Sequence, residues 1–346
     1  MTDTGGFARR CLIVLAIAVV ALVLYKMTNL LLLIFAAVTI ASIFSAARSG
    51  ISRLTGLKGG LALTVAVLAV IGLLVGVFTM FGTQIAREMD TIRERFPAAL
   101  ASAQAQLQAW GVEADSLRRL IDQGVGDVGA ILSRAGGYAL SAGSGLADFL
   151  LVLVGAIFLA AQPDIYRRGI VLMTPKSHEA LVAQAMDDTG HALAGWLRGQ
   201  LLSMLAVSVL TFTGLWLLGV PAALGLALIA GLLDFIPFVG PIIAAVPAII
   251  LAFLVGPSTA LWTLGLYLLV QQIQGNILQP LVQRYAVDVP PAVLLFAVAG
   301  AGVLFGFLGI LLSAPLTVVA FVLAQRLYIQ GALGKDIKVV TEASTL

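Results

Sequence analysis

Long unbroken runs of hydrophobic residues, separated by short polar stretches, make up most of the chain. Four such runs occupy the first half, at residues 11–24, 30–44, 61–81 and 146–161. About 20 apolar residues in a helix are enough to cross about 30 Å of hydrocarbon. The strands of a transmembrane β-barrel would instead alternate polar and apolar residues. The pattern therefore predicts an all-α polytopic membrane protein.

Basic residues indicate the orientation of these helices. Arg9 and Arg10 precede the first run, and Arg326, Lys335 and Lys338 follow the last one. Cytoplasmic segments are enriched in Lys and Arg, so we predict that both termini are cytoplasmic. A signal peptide is the alternative interpretation of the first run, but no clear small-residue cleavage site follows it.

The pattern divides the chain into five predicted regions. The first three are transmembrane helices 1–3 in residues 1–81, an extracytoplasmic amphipathic helical segment in 82–144, and a fourth transmembrane helix with a cytoplasmic amphipathic helix in 145–198. A core of two helix-plus-hairpin units follows in 199–328, and a cytoplasmic tail in 329–346. The fifth span is predicted to begin at Gln200, after the cytoplasmic helix. That helix contains His178 and His191, whose spacing fits a solvated helix better than a zinc site.

One spacing of proline, glycine and phenylalanine occurs twice in the C-terminal half. The copies are Pro221, Gly231, Phe238 and Gly240, and then Pro290, Gly300, Phe307 and Gly309. Each follows a long apolar helix, and proline and glycine bend or stop helices. Under the predicted topology the hairpins enter the membrane from opposite sides, which makes a possible inverted repeat of the kind used for alternating access. The charges do not decide whether 220–256 and 289–326 are re-entrant or span fully, so the chain crosses six to ten times.

Polar residues of this half concentrate in two places. Five amides lie within residues 271–279. Three of them, Gln272, Asn276 and Gln279, recur at helical i, i+4, i+7 spacing and so lie on one face. Amides can bind polyhydroxylated solutes or coordinate a cation, although hydrogen bonding between helices is the structural alternative. Asp234 lies inside the first broken segment, where a carboxylate either carries a coupling ion or caps broken backbone. The candidate pathway residues are Asp234, Pro237, Gly240, Pro241, Gln272, Gly275, Asn276, Gln279, Pro280 and Arg284.

Composition removes several classes of protein. Hydrophobic residues make up 60% of the chain and charged residues 11%, which excludes a water-soluble globular protein and a disordered one. The net charge of +3 requires no nucleic-acid partner. Neither a metalloprotease HExxH, a GxSxG nucleophile motif nor a phosphate-binding GxxxxGK[ST] is present. The single Cys11 cannot form an intrachain disulfide. We therefore predict no enzymatic activity and no cofactor.

Two stretches carry a family resemblance. LGVPAALGLALIAGLLDFIPFVGPIIAAVPAI at 218–249 and QQIQGNILQPLVQR at 271–284 resemble signatures of the autoinducer-2 exporter family of bacterial inner-membrane proteins. The stretches WLRGQ at 196–200 and FGFLG at 305–309 look like further family positions. The resemblance implies a secondary transporter with eight membrane helices that forms a homo-oligomer, a pentamer being one possibility.

The resemblance also implies two kinds of substrate. Some relatives resemble exporters of the furanosyl quorum-sensing signal, and others resemble sodium or lithium/proton antiporters. We therefore expect 199–328 to be a transport core for a small molecule or ion, embedded in the lipid bilayer. A passive channel and a membrane scaffold remain alternatives.

Overall fold

A computed structural model describes residues 26–73, 144–253, 255–280 and 289–335, with single positions outside these ranges. Within these ranges the chain is helical and contains no strand. Most of the first predicted span, nearly all of the 82–144 segment, Arg284 and the last residues of the predicted tail lie outside the described residues.

The first half contributes five described helices. They are α1 (Thr28–Thr55), α2 (Gly59–Leu73), α3 (Ser144–Ala161), α4 (Pro163–Leu172) and α5 (Glu179–Leu217), with a short 3₁₀ helix at Lys176–His178 before α5. The helix α1 ends at Gly56, whose positive φ of 72° and N–H to the carbonyl of Ser52 form a glycine C-cap.

The second half contributes four more. They are α6 (Ala223–Leu233), α7 (Val239–Ala252), α8 (Pro257–Ile273) and α9 (Pro291–Leu323), and π-helical segments at Gln274–Leu278 and Ala324–Ala332 extend the last two. Proline begins α4, α8 and α9, because the first helical position has no N–H bond to lose.

Three described helices are long and apolar enough to cross a membrane. They are Thr28–Thr55, Lys176–Leu217 and Pro291–Ala332, and the pair α3 and α4, bent by 84°, adds a fourth candidate. The predicted all-α, multi-pass architecture is thereby confirmed. The count of eight membrane helices stays a prediction.

The predicted boundary between residues 198 and 199 lies within one continuous helix. The cytoplasmic helix and the span expected to begin at Gln200 form a single helix of 39 residues, α5. No proline interrupts this stretch, and Gly195 and Gly199 are buried against neighbouring helices, so the small residues aid packing instead of ending the helix. The helix α5 therefore runs through the predicted boundary between residues 198 and 199.

Both proline- and glycine-broken segments consist of short helical arms. The helices α6 and α7 have 11 and 14 residues, about 16 and 21 Å at 1.5 Å per residue, and they pack on each other. In α9 the backbone leaves helical geometry at Gly306 (φ 64°, ψ −146°). A Cβ on Gly309 would lie 2.2 Å from the carbonyl oxygen of Ala301, whereas residues eight apart in a straight helix are about 12 Å apart. The chain of α9 therefore bends back sharply at Gly306.

Helix α5 lies at the centre of the described fold. Its second half packs with α6, α7 and α8 around Leu215, Leu226 and Leu251, all fully buried. Its middle packs on the second arm of α9 through Leu193 and Val318. A separate cluster joins α1, α2 and α3. The break between α6 and α7 and the end of α8 thus meet on α5, and the candidate site forms there.

Candidate functional site

The carboxylate of Asp234 is the most deeply buried acidic group that the structure describes. Asp234 follows the last turn of α6, at the break before α7, and only 2% of its surface is exposed. Its Oδ1 accepts a hydrogen bond of 2.6 Å from Nε2 of Gln274, and its Oδ2 accepts one of 3.0 Å from Oγ of Ser203. Three elements, α5, the α6–α7 break and the end of α8, therefore converge on this carboxylate.

Gln200 links the same carboxylate to the broken backbone. Its Nε2 donates to the backbone carbonyl of Asp234 at 2.8 Å and lies 3.5 Å from Oδ2. This carbonyl belongs to a residue just beyond the end of α6, so the amide satisfies an acceptor that the broken helix would leave without a partner. At the break, Gln200 and not the Asp234 carboxylate therefore satisfies the backbone, and a coupling ion at Asp234 stays a prediction.

A cavity of about 240 Å³ opens beside Asp234. Four glutamines and a serine contribute polar groups to it, and its remaining walls are apolar. Its lining residues are Trp196, Gln200, Ser203, Asp234, Pro237, Phe238, Pro241, Gln271, Gln274, Gly275, Gln279, Val289, Pro291, Leu294 and Val318. Small-molecule pockets are concave, mostly apolar and carry a few polar groups, and this cavity has that character.

Half of the predicted pathway residues line this cavity. They are Asp234, Pro237, Pro241, Gly275 and Gln279. Gly240 does not line the cavity, and a Cβ in place of its hydrogen would lie 1.8 Å from the carbonyl oxygen of Leu233. Gln272, Asn276 and Pro280 are exposed outside the cavity, and Arg284 lies outside the described residues.

The amide residues that line the cavity are not the set that the regular helical spacing places on one face. Residues Gln274–Leu278 form a π-helical turn, whose hydrogen bonds run from i to i+5. Gln271 and Gln274 are three residues apart and share a face in a regular helix, and the wider π-helical turn brings Gln279, five residues after Gln274, to the same cavity. Such turns occur frequently at functional sites.

Four polar residues of the site were not among the predicted pathway residues. Gln271 and Gln274 were two of the five clustered amides, and Gln200 stood in the WLRGQ stretch, so each carried a partial signal. Ser203 carried none, because a lone serine in an apolar run is usually a helix-packing residue.

Phe238, which lines the cavity, has an unusual backbone conformation. Phe238 has φ 64° and ψ −48°, a conformation that L residues with a side chain rarely adopt. Positive φ at such residues costs on the order of 1–3 kcal/mol and persists only where the surrounding structure enforces it. Here the residue lies between Pro237 and the first turn of α7, and its ring lines the cavity.

Two ion pairs elsewhere in the described part of the chain join α5 to other elements. Arg167 binds Asp187 through Nε and an Nη atom at 2.8 and 2.6 Å, and this hydrogen bonding lowers the pKa of the Asp187 carboxyl. Arg326 binds the neighbouring Asp188 at 2.5 Å, where both side chains are largely buried. No group of three or more His, Cys, Asp or Glu residues suited to a metal occurs in the described ranges.

Comparison with known proteins places this geometry in a family. A model of the AI-2E family transporters matches residues 12–329. YrrI of Bacillus subtilis is 28% identical over 209 residues, which are 59% of each chain. YueF of the same organism is 34% identical over 42% of this chain and 39% of its own, and YhhT of Escherichia coli is 31% identical over 50% and 49%. All three are provisionally named as transport proteins.

The chain spans about half the length of these relatives, so their full activities are not transferred to it directly. The relatives carry the names of transport proteins and permeases, which points away from an enzyme. The family model, by contrast, covers nearly the whole sequence, including both broken segments and the cavity between them. This chain therefore belongs to the AI-2E family of membrane transporters.

Proposed function

We propose that this protein is a secondary transporter that exports a small polar solute across the bacterial inner membrane, with Asp234 holding a coupling cation. A furanosyl signal of the autoinducer-2 type is the proposed solute. The observation that carries the proposal is a deeply buried carboxylate that receives hydrogen bonds from neutral groups only. An inverted pair of hairpins, cytoplasmic termini and a homo-oligomeric assembly belong to the same proposal.

The case for a cation rests on charge compensation. A buried ionised carboxylate is costly unless it is paired, and no Lys or Arg in the described ranges forms an ion pair with Asp234. Gln274 and Ser203 donate to its two oxygens and supply no positive charge. A proton or a sodium ion at Asp234 would supply it, and an intramembrane carboxylate in this position is a common carrier of coupling ions.

The case for a polar solute rests on the other residues that line the cavity. Gln271, Gln274 and Gln279 can each donate and accept hydrogen bonds, as the hydroxyl groups of a sugar-like molecule require. Oε1 of Gln274 is buried and accepts no hydrogen bond from the described residues. Trp196 lies at the same cavity, with its ring edge-on to Phe235 at a centroid distance of 5.8 Å, and can cover the apolar face of a ring.

Flux into proteoliposomes tests this proposal. The purified wild type should move the furanosyl solute in response to a proton or sodium gradient. Asp234→Asn keeps the shape and one acceptor oxygen but removes the charge, so gradient-driven flux should be lost while the protein still inserts. Undiminished gradient-driven flux through Asp234→Asn would contradict the role of Asp234 in cation coupling.

Gln274 and Gln272, two positions apart, provide a matched pair of variants. Gln274→Leu removes the donor to Asp234 and should reduce flux strongly. Gln272→Leu changes an exposed amide outside the cavity on the same helix and should leave flux near the wild-type value. The reverse order of effects would assign the pathway to the face that the regular helical spacing predicts.

A second candidate function follows from the same carboxylate. Sodium or lithium/proton antiport needs one buried acidic group that binds either ion in turn, and Asp234 provides one. Vesicles without any organic solute distinguish the two: added sodium should dissipate a pH gradient if the protein is an antiporter. Cation-independent flux of the furanose would instead indicate a passive route.

A further inference from the structure

The short helix α4 has a geometry that transport through the cavity does not use. It follows α3 after the single residue Gln162 and bends away from it by 84°. The helix α3 is apolar from Phe149 to its end at Ala161, whereas α4 carries Asp164, Arg167 and Arg168 within ten residues. A helix of about 15 Å with three charges is unsuited to the hydrocarbon centre. If α3 crosses the membrane, α4 lies close to the membrane plane.

The two faces of α4 have different surroundings. Arg167 and Val171 are partly buried on the side that packs against α5, where Arg167 binds Asp187. At 100° per residue the opposite face holds large apolar side chains, and they are exposed: Ile165, Tyr166, Ile170, Leu172 and Met173. Leu172 is 80% exposed, so the described fold leaves this face uncovered.

We propose that α4 is an interfacial helix that binds the membrane surface, with its apolar face in the outer part of the hydrocarbon and Arg168 on the phosphates of anionic lipids. Amphipathic helices lie in this way when one face is apolar and the flanks are basic. Arg168 is exposed at the polar edge beside Leu172, and long arginine side chains extend from such positions to headgroups.

The position of α4 identifies lipid as the occupant. Its apolar face begins where the apolar run of α3 ends, at the level where headgroups meet acyl chains. The ion pair between Arg167 and Asp187 anchors the opposite side to α5 and so fixes which face turns outward. The site is independent of the proposed function, because it shares no residue with the cavity.

Spin-label accessibility on the full-length protein tests the placement. The labels are attached at Leu172→Cys on the apolar face and at Asp164→Cys on the polar edge, about 80° away around the helix, in a Cys11→Ser background and in nanodiscs containing phosphatidylglycerol. The label at 172 should collide with oxygen and be protected from a water-soluble nickel complex, and the label at 164 should show the reverse. Equal nickel collisions at both positions would overturn the proposal. Protection of position 172 from both reagents, with broadening between labels, would show a contact with a second copy and would also overturn it.

The role of Arg168 has its own measurement. In discs of neutral phosphatidylcholine the label at 172 should lie closer to water than in discs with phosphatidylglycerol. Arg168→Gln should abolish this difference, and Arg168→Lys should retain most of it. A depth that does not respond to anionic lipid in the unmodified helix would refute the headgroup contact.

Discussion

Replacing Gly309 with alanine should prevent the sharp bend of α9 from closing. An ideal Cβ at Gly309 would lie 2.2 Å from the carbonyl oxygen of Ala301 and 2.6 Å from Cβ of Phe305. Close carbon–oxygen contacts between backbones lie at about 3.3 Å or more. The two arms of α9 would therefore have to separate by about 1 Å, given that normal contact distance.

The cost of this separation follows from what surrounds the new methyl group. Overpacking a closely packed interior costs about 1–3 kcal/mol and occasionally more. At Gly309 the obstacle is a backbone carbonyl, which cannot rotate away as a side chain can. We therefore expect the upper end, about 3 kcal/mol. The second arm carries Val318, so transport should fall as well, because the cavity wall moves with it.

Thermal melting of the detergent-solubilised protein measures the effect against a matched control. Gly300→Ala changes a helical glycine whose Cβ would meet nothing within 4 Å. It should be neutral or stabilise by about 0.5–1 kcal/mol, because alanine restricts the unfolded chain more than glycine. Gly240→Ala, with a Cβ 1.8 Å from the carbonyl of Leu233, should behave like Gly309→Ala in the first hairpin. Melting of Gly309→Ala at or above the temperature of Gly300→Ala would refute the bend.

Three further predictions concern groups outside the bend. Arg326→Gln should destabilise the fold by about 3–5 kcal/mol in the same melts, because it removes the positive charge from a largely buried ion pair with Asp188, whereas Arg167→Gln breaks an exposed pair and should change the midpoint little. Arg167 lowers the folded-state pKa of Asp187, so the stabilising effect of that carboxylate should be complete above the ordinary value of 3.8 and be lost as the pH falls through the lower folded value. The difference in melting temperature between wild type and Asp187→Asn should therefore stay constant from about pH 7 to 5 and shrink only in stronger acid. Tyr267→Phe removes a buried hydroxyl that donates to a backbone carbonyl at 3.2 Å and should cost about 1 kcal/mol, and an unchanged midpoint would show that this bond contributes nothing.

Features set by local chemistry could be predicted from the sequence. Apolar runs specify helices for a membrane, and proline and glycine specify where they break, since both act on the backbone at their own position. The breaks at Pro237 and at Gly306 accordingly lie within the two segments that the repeated spacing marked out. The family also followed from short local motifs, and the match over residues 12–329 confirms it.

Features set by packing over long distances could not be predicted in the same way. The hydrogen bond from Gln274 to Asp234 joins residues 40 positions apart, and the π-helical turn brings Gln279 to the same cavity. A regular 3.6-residue period gives no account of that turn and favours Gln272 and Asn276 instead.

The two repeated segments share their break but not their charge. They are related by an offset of 69 residues, as from Pro221 to Pro290, and this offset pairs Asp234 with Val303. Val303 is 87% exposed on the outside of α9, while that helix contributes apolar groups such as Val318 to the cavity wall. The second segment therefore has no counterpart of the buried carboxylate. Under the proposed function, only the first segment binds a cation, and coupled flux should therefore move one cation charge per chain in each transport cycle.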